Sequence, residues 1–149
     1  MIIGLDYSRR KIGVATGQSI TNTATALTTI INLEQGQTNW AKLDDIINQW
    51  KPDAIIIGLP LDMDGKEQKT TLYAREFGKH VQKRYKITVN FMDERLSSRE
   101  ASHILGYDGI TSPRRNSQPG KKVKKSKRTG NDIDAMAAQL ILQSWLNEQ

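Results

Sequence analysis

Short apolar runs separated by brief polar links occupy the first part of the chain. Residues 2–5 are apolar, and residues 11–17 form a second run through Ile12, Val14 and Ala15. A polar segment at 6–10 lies between them, and a third run covers residues 26–31. Runs of this length, joined this closely, are typical of strands that pair with their neighbours in sequence. The pattern therefore predicts an antiparallel meander of three strands.

From residue 38 onward the apolar positions change to helical spacing. Large apolar side chains recur on one face of a predicted helix: Trp40, Leu43, Ile46, Ile47 and Trp50. Thr38 or Asn39 is placed to cap its first turn. The pair Lys51-Pro52 ends it, because the residue before a proline is disfavoured in the helical conformation.

Strands and helices alternate in the middle of the chain. The continuous apolar run at residues 54–58 is typical of a strand buried on both faces, and residues 59–66 are predicted to form a loop. A second helix is marked by apolar residues at helical spacing, namely Ala74, Phe77, Val81 and Tyr85. A further strand is predicted at residues 87–92.

The last third adds two helices and a loop. Ser97 with Glu100 three residues later forms a capping box that opens a third helix. Residues 107–130 lack an apolar period and predict a basic mobile loop, and a final helix is predicted from about 132 to 146. Hairpins followed by β-α-β units give an α/β fold with a mixed five-stranded sheet, a three-strand antiparallel meander plus parallel strands, flanked by helices. The length of 149 residues suits a single domain, 1–149.

The positive charge is concentrated in the predicted loop. The chain carries a net charge of +6, and the segment 110–130 alone carries +8, so the remainder sums to −2. A polyanion is the natural partner of such a segment, because each neutralised phosphate releases counterions. On charge alone, a solvated loop that binds nothing specific remains the alternative.

Composition excludes several classes of protein. No stretch reaches the roughly 18 apolar residues of a membrane span, and the N-terminus lacks the pattern of a signal peptide. The chain has no cysteine, which excludes disulfides and thiolate metal sites. We therefore expect a cytoplasmic protein without a membrane partner.

Acidic residues stand at the ends of predicted elements. Asp6 follows the first strand, Asp93 and Glu94 end the last strand, and Asp132 and Asp134 open the final helix. In an open α/β sheet, ligands gather at the carboxyl ends of the strands. For each residue alone, a helix cap or a turn is the competing explanation.

The two acids of the final helix differ in direction. Residues two apart on a helix point about 200° apart, so Asp132 and Asp134 cannot share one target. Asp134 heads the predicted apolar stripe of Ala137, Ala138, Ile141 and Trp145. Asp132 shares its side with a face predicted to be wetter, made of Ala135, Met136, Gln139 and Gln143. The small Ala137 and Ala138 predict close approach of this helix to the sheet.

Converging carboxylates indicate a cation site. Three carboxylates held close together repel one another unless a divalent cation lies between them. Oxygen ligands suit Mg²⁺ or Mn²⁺, whereas the lack of cysteine and the presence of only two histidines argue against zinc. Asp62 and Asp64 could add to such a site or only shape a turn, and Arg9, Arg10 or Lys11 could hold phosphate or form a solvated hairpin.

Four segments resemble motifs of one family. Residues 4–15, 57–65, 93–98 and 133–142 are similar, in this order, to the motifs of the YqgF family of Holliday-junction-resolvase-like proteins, which are described as nucleases of pre-16S rRNA. The resemblance implies an RNase H-like fold, a cytoplasmic role in maturing the 5′ end of pre-16S rRNA, and an acidic site. It places that site on Asp6, Glu94 and Asp134.

The sequence also departs from the family pattern. Ser8 stands where the family usually has glycine, and Asp62 stands where asparagine is common. The basic run at residues 121–128 is longer than expected. These departures concern substrate contact rather than the fold.

The resulting hypothesis is a metal-dependent endonuclease that uses two Mg²⁺ or Mn²⁺ ions. Asp6, Glu94 and Asp134 would be both catalytic and metal-binding, with Asp93 as the alternative to Glu94. The predicted nucleic-acid contacts are basic residues: Arg9, Arg10, Lys11, Arg95, Lys121, Lys122, Lys124, Lys125, Lys127 and Arg128. Pre-rRNA is the favoured substrate, and the protein is expected to be a monomer or a weak homodimer.

Two other functions remain open at this stage. A resolvase of four-way DNA junctions would keep the same site and require a symmetric dimer for paired cuts. A non-catalytic RNA-binding factor in ribosome assembly or transcription would keep the fold without turnover.

Overall fold

The computed structural model describes residues 1–61, 64–93 and 130–149, except for the side chains at 130–132. Its strands are β1 (Ile2–Tyr7), β2 (Lys11–Gln18), β3 (Thr23–Ile31), β4 (Ala54–Leu59) and β5 (Thr88–Asp93). Its helices are α1 (Trp40–Trp50), α2 (Lys69–Tyr85) and α3 (Gly130–Asn147), and a short 3₁₀ turn covers Glu34–Gly36.

The five strands form one mixed sheet in the order β3-β2-β1-β4-β5. β1 pairs antiparallel with β2, and β2 pairs antiparallel with β3, which confirms the predicted meander. β4 runs parallel to β1 and to β5, as expected when helices connect the strands. β1 is therefore the central strand, and its position is fixed from both sides.

Strand alternation divides the core into two layers. Ile3 and Leu5 of β1 belong to the cluster that α1 and α2 cover. Ile2 of the same strand belongs to the cluster that Ala138 and Ile141 of α3 complete. Because successive side chains point to opposite faces, every residue of β1 can be assigned to one layer or the other.

Helix α1 begins and ends near its predicted signals. The Asn39 side chain accepts a hydrogen bond from the Lys42 backbone N–H at 3.3 Å, so Asn39 is the cap. Lys51 adopts the left-handed conformation (φ 43°) that closes the helix before Pro52. The predicted strand at residues 54–58 is confirmed as β4, and Ile55, Ile56 and Ile57 are fully buried.

Helix α3 corrects one prediction. Ala138 and Ile141 of the predicted apolar stripe are fully buried. The prediction that Ala135 lies on a wetter face was wrong, because only 6% of this residue is exposed. α3 lies against the sheet face and reaches the rim of β3 as well, so it buries more than one stripe.

Two glutamines of α3 bind the open edge of β3. The Gln139 side-chain oxygen accepts a hydrogen bond from the Ala26 N–H, and that of Gln143 accepts from the Ala24 N–H, both at 3.0 Å. The two glutamines are four residues apart, a rise of about 6 Å along a helix, and the two alanines are two residues apart, about 6.6 Å along a strand. The spacing of the acceptors therefore matches the spacing of the donors. The face predicted to be wetter therefore protects an edge strand.

Several predictions lie outside the described residues. They are the helix opened by Ser97 and Glu100 and the basic loop at 107–130. Of the helices that the structure describes, none has the length and apolar character needed to cross a membrane. The single-domain organisation stays a prediction.

Candidate active site

Asp6 lies near the carboxyl end of the central strand. It pairs with Gly13 across the β1–β2 ladder and is half-buried. Ile2 of the same strand packs with α3, and a Cβ on Gly4 would lie 2.8 Å from the Leu142 Cβ of that helix. Alternation therefore directs Asp6 to the face of the sheet that α3 covers.

Gly13 lets the N-terminal part of α3 rest on β2. A Cβ on Gly13 would lie 2.0 Å from the Asp134 carbonyl oxygen and 2.5 Å from its carbonyl carbon. No side chain fits there, so the glycine allows the backbone of Asp134 to contact the strand position that pairs with Asp6. Two residues distant in sequence, Asp6 and Asp134, thereby share one face and one end of the sheet.

Glycines on the strands were the signal that sequence reasoning missed. The predicted small residue Ala138 is fully buried, and its carbonyl oxygen would lie 3.2 Å from a Cβ on Gly4. A Cβ on Gly17 would lie 2.9 Å from the Leu142 Cδ2. Gly4 on β1 and Gly13 and Gly17 on β2 all lie on the face of the sheet that α3 covers. Glycines repeated on one face of paired strands indicate that a helix packs closely against that face.

The Asp134 carboxylate carries an unsatisfied oxygen. Its Oδ2 atom is buried and accepts no hydrogen bond from the residues that the structure describes. The Lys11 Nζ atom lies 3.3 Å from it, close enough for an ion pair although not aligned for a hydrogen bond. A buried polar atom without an aligned donor is costly, so this oxygen is suited to an additional cationic ligand.

Asp93 lies on the other face of the sheet. It pairs with Leu59 at the end of β5. Alternation groups it with Phe91, which packs against the layer of α1 and α2, whereas Met92 belongs to the α3 layer. Of the two acids left open by the sequence, Asp93 is thus directed away from Asp6, and Glu94 lies outside the described residues.

Ser8 closes the turn between β1 and β2. Its hydroxyl donates to the Lys11 carbonyl oxygen at 2.9 Å and accepts from the Lys11 N–H at 3.1 Å. The Asn32 amide donates to the carbonyl oxygens of Ser8 and Arg9, both at 3.2 Å. The departure from glycine at position 8 therefore supplies a hydrogen bond, and Asn32 ties the turn to the segment after β3.

Arg9 is held in place although it is exposed. Its Nη2 atom donates to the Gln35 carbonyl oxygen at 3.1 Å, and its guanidinium lies 5.0 Å from the centre of the Tyr73 ring. The guanidinium packs against Gly36, where a Cβ would lie only 2.6 Å from the Arg9 Nε atom. Arg9, Arg10 and Lys11 line a cleft of about 660 Å³ whose other wall is residues 31–36.

Tyr7 supports the end of β1 from the opposite layer. Its ring stacks on Phe77 with the centroids 4.3 Å apart. Burial raises the pKa of the Tyr7 hydroxyl, while Arg9 and a hydrogen bond with Thr38 act in the lowering direction. The hydroxyl therefore stays protonated near neutral pH and brings no charge to the strand that carries Asp6.

The remaining predicted residues are divided between exposed and undescribed positions. Asp64 is exposed. The undescribed positions include further predicted site residues: Asp62, Glu94, Arg95, Lys121, Lys122, Lys124, Lys125, Lys127 and Arg128. Within residues 1–61, 64–93 and 130–149, no group of three His, Cys, Asp or Glu side chains is arranged to hold a metal ion. Glu94, the third predicted ligand, lies outside those residues.

A family model and curated relatives match the whole chain. The model for RuvX, described as Holliday junction resolvase, matches residues 1–148. A protein of Nitrosococcus oceani is 42% identical over 149 residues, which cover 100% of this chain and 88% of the relative. A protein of Francisella tularensis is 40% identical over 147 residues, covering 99% of this chain and 96% of the relative. Both relatives bear the name "Putative pre-16S rRNA nuclease".

A solved structure confirms the predicted fold. RuvC of T. thermophilus, solved in complex with a Holliday junction substrate, superposes with a TM-score of 0.51. The alignment covers 99% of this chain and 93% of RuvC at 11% sequence identity. At this identity the likeness concerns the fold alone, and that fold is RNase H-like.

Proposed function

The chain belongs to the RuvX (YqgF) family of Holliday junction resolvases, a family of nucleases, and from this premise we propose that it is a metal-dependent endonuclease acting on structured nucleic acid. Its proposed task is to process the 5′ end of pre-16S rRNA, since pre-16S rRNA is the substrate in the names of its relatives. The proposed site consists of Asp6, Glu94 and Asp134.

The contact between α3 and β2 is the observation that carries the proposal. Gly13 pairs with Asp6 on β1 and contacts the backbone of Asp134 on α3. One glycine therefore lies between the two aspartates. The backbones that carry the two carboxylates are therefore held on either side of one strand residue. Carboxylates borne on packed elements at the carboxyl end of a central strand are suited to a reaction that needs precise placement of its groups.

The donor set fits a hard divalent cation. The side chains of Asp6 and Asp134 offer only oxygen, and the buried Oδ2 of Asp134 lacks an aligned hydrogen-bond donor among the described residues. Asp6 and Asp134 would hold Mg²⁺ or Mn²⁺, and we propose Glu94 as the third ligand, because the alternation of β5 directs Asp93 to the other face. When bound, such an ion supplies Lewis acidity and lowers the pKa of water.

Basic residues would position the substrate. Arg9 and Arg10 lie in the turn directly after the strand of Asp6, and Arg9 is already oriented by Gln35 and Tyr73. Arg95 and the segment 121–128 would contribute further phosphate contacts. Phosphate contacts fix orientation and make affinity depend on salt, and structured RNA is recognised largely through shape and phosphates.

The description of the family model supports a second candidate substrate, the four-way DNA junction. Its resolution requires two paired cuts, and therefore two copies of the site related by symmetry. RNA and DNA substrates thus predict different oligomeric states for the active species.

The decisive experiment compares cleavage of an end-labelled pre-16S rRNA leader with cleavage of a four-way DNA junction, in Mg²⁺ or Mn²⁺. Wild type is compared with Asp6→Asn, Asp134→Asn and the control Asp45→Asn, which alters an exposed acid of α1. We expect RNA cleavage that falls at least about 100-fold in the first two variants and is unchanged in the control.

The other outcomes each select another function. Cleavage of the junction alone would identify a resolvase. Binding of RNA without cleavage, equal in wild type and Asp6→Asn, would refute the catalytic proposal and indicate an RNA-binding assembly factor.

A further inference from the structure

Lys11 faces the proposed cation site from the neighbouring strand. Its Nζ atom lies 3.3 Å from the Asp134 Oδ2 atom. Lys11 and Gly13 are two residues apart on β2, so they share the face that α3 covers. The backbone of Asp134 rests on Gly13, and its carboxylate meets Lys11, so both partners of the ion pair are held by the same contact between strand and helix.

The ion pair is partly shielded from water. The Lys11 side chain is 37% exposed and that of Asp134 is 30% exposed. Salt screens the attraction between two charges less at such positions than on the open surface. The Lys11 ammonium therefore offsets part of the negative charge of the Asp134 carboxylate. Lysine is a compact point charge rather than a planar fork, and it therefore neutralises the oxygen without locking its direction.

A divalent cation on Asp134 would compete with this ammonium. The two cations would share one carboxylate oxygen, and like charges a few ångströms apart repel each other. Pairing of Lys11 with Asp134 and binding of a metal ion at Asp134 therefore oppose one another. The free energy of the ion pair must be given up whenever the metal ion binds.

We propose that Lys11 is an internal counter-ion that neutralises Asp134 while no divalent cation is bound, and that its displacement sets the cation affinity of the site. This inference rests on the proposed function, because it takes Asp134 as a metal ligand. Lys11 acts through Asp134 and is in this sense a positioning residue. Its role is to neutralise the carboxylate while no metal ion is bound and to make weakly bound cations ineffective.

The test is a calorimetric titration of Mn²⁺ into the protein without nucleic acid. Wild type is compared with Lys11→Met, Lys11→Gln and the charge-conserving Lys11→Arg. Arg10→Met is the matched control, since it removes the same charge from the adjacent exposed position. We expect both neutral variants of Lys11 to bind Mn²⁺ about 5- to 30-fold more tightly than wild type. Lys11→Arg and Arg10→Met should stay within about 2-fold of it.

Thermal unfolding gives an independent readout. Without metal, Lys11→Met should have a lower Tm than wild type, because a buried carboxylate oxygen loses its counter-ion. Saturating Mn²⁺ should then raise the Tm of Lys11→Met by more than it raises that of wild type, since tighter binding to the folded state stabilises it more. Lys11→Arg should restore the wild-type behaviour.

Failure of the inference differs from failure of the proposed function. If wild type binds Mn²⁺, Asp134→Asn does not, and the neutral variants of Lys11 bind no more tightly than wild type, the counter-ion role is refuted and the metal site stands. If wild type and Asp134→Asn give the same heats, neither the metal site nor the counter-ion role survives.

Discussion

Gly13 and Asp134 are in direct backbone contact: a Cβ on the glycine would lie 2.0 Å from the aspartate's carbonyl oxygen. This contact sets the height of the N-terminal part of α3 above the sheet. It also sets where the Asp134 carboxylate lies relative to Asp6, which pairs with Gly13. One position of β2 thus controls both stability and the geometry of the proposed site.

Gly13→Ala should lower stability and displace Asp134. The clash is with backbone atoms, which cannot rotate away, so we expect a loss of about 1–3 kcal/mol in the free energy of unfolding. The measurement is denaturant unfolding combined with Mn²⁺ titration. Gly17→Ala is the control, because its Cβ would meet the Leu142 Cδ2 and the Thr23 carbonyl oxygen, both at 2.9 Å. Both variants should lose stability, and only Gly13→Ala should lose Mn²⁺ affinity.

Asp44 predicts a pH-dependent contribution to stability. Hydrogen bonds lower the pKa of Asp44 from 3.8 to about 2, and the bond from Arg84 has a larger effect than the bond from Tyr85. A lowered pKa in the folded state stabilises the fold above the unfolded value, and this stabilisation is lost as the pH falls from about 4 towards 2. The pair is partly exposed, so solvent screening limits its contribution to about 0.5–1 kcal/mol.

Unfolding of wild type and Asp44→Asn at several pH values tests this. The difference in stability should be constant above about pH 5 and should shrink below pH 4. Asp45→Asn changes the neighbouring exposed acid of α1 and should show a smaller difference at neutral pH. A gap between wild type and Asp44→Asn that is the same at pH 7 and pH 2.5 would contradict the assignment.

The glutamines of α3 should protect individual amides of β3. Gln139→Ala removes the acceptor of the Ala26 N–H, and Gln143→Ala removes that of the Ala24 N–H. Loss of about 1 kcal/mol per hydrogen bond predicts about 5-fold faster local hydrogen exchange at the matching amide. Amide exchange followed by NMR checks this, and each variant is the control for the other amide. Equal acceleration of both amides in either variant would indicate general loosening instead.

Arg9 should contribute one oriented phosphate contact. Arg9→Ala should weaken binding of structured RNA across sequences and reduce the slope of log affinity against log salt by about 1. Gly36→Ala should weaken binding less, because its Cβ would displace the guanidinium but leave the charge. Filter binding at several salt concentrations measures both, with Lys42→Ala on α1 as the control. An unchanged slope in Arg9→Ala would remove this residue from the interface.

The apolar pattern was sufficient to predict the five strands and three α-helices that the structure describes, but not the 3₁₀ turn at Glu34–Gly36. Runs such as residues 54–58 bury both faces, and this can be recognised without tertiary information. The position of Asp6 at a strand end and the inward direction of Asp134 followed from the same periodicities. The structure adds the reason why the two residues share one face, which is Gly13.

Contacts that depend on the arrangement of several elements were missed. Helical periodicity assumes one partner surface, whereas α3 covers both a face and a rim, so Ala135 was assigned to the wrong environment and the contact of Gln139 with β3 was not predicted. Asn32 gave no local signal, because its role is to tie the β1–β2 turn to the segment before α1. Glycines in strands were visible in the sequence, but only the position of α3 reveals what each one accommodates.

The placement of α3 has a consequence for protein synthesis. Asp6 and Lys11 are translated early, whereas Asp134, which completes the proposed carboxylate pair, is translated late. Until α3 is synthesised, no helix packs against the glycines of β1 and β2, and the Ala24 and Ala26 amides of β3 lack their glutamine acceptors. A nascent chain that lacks α3 therefore holds only two of the three proposed carboxylates, Asp6 and Glu94. Catalytic competence would arrive only when the final helix folds back onto the first two strands.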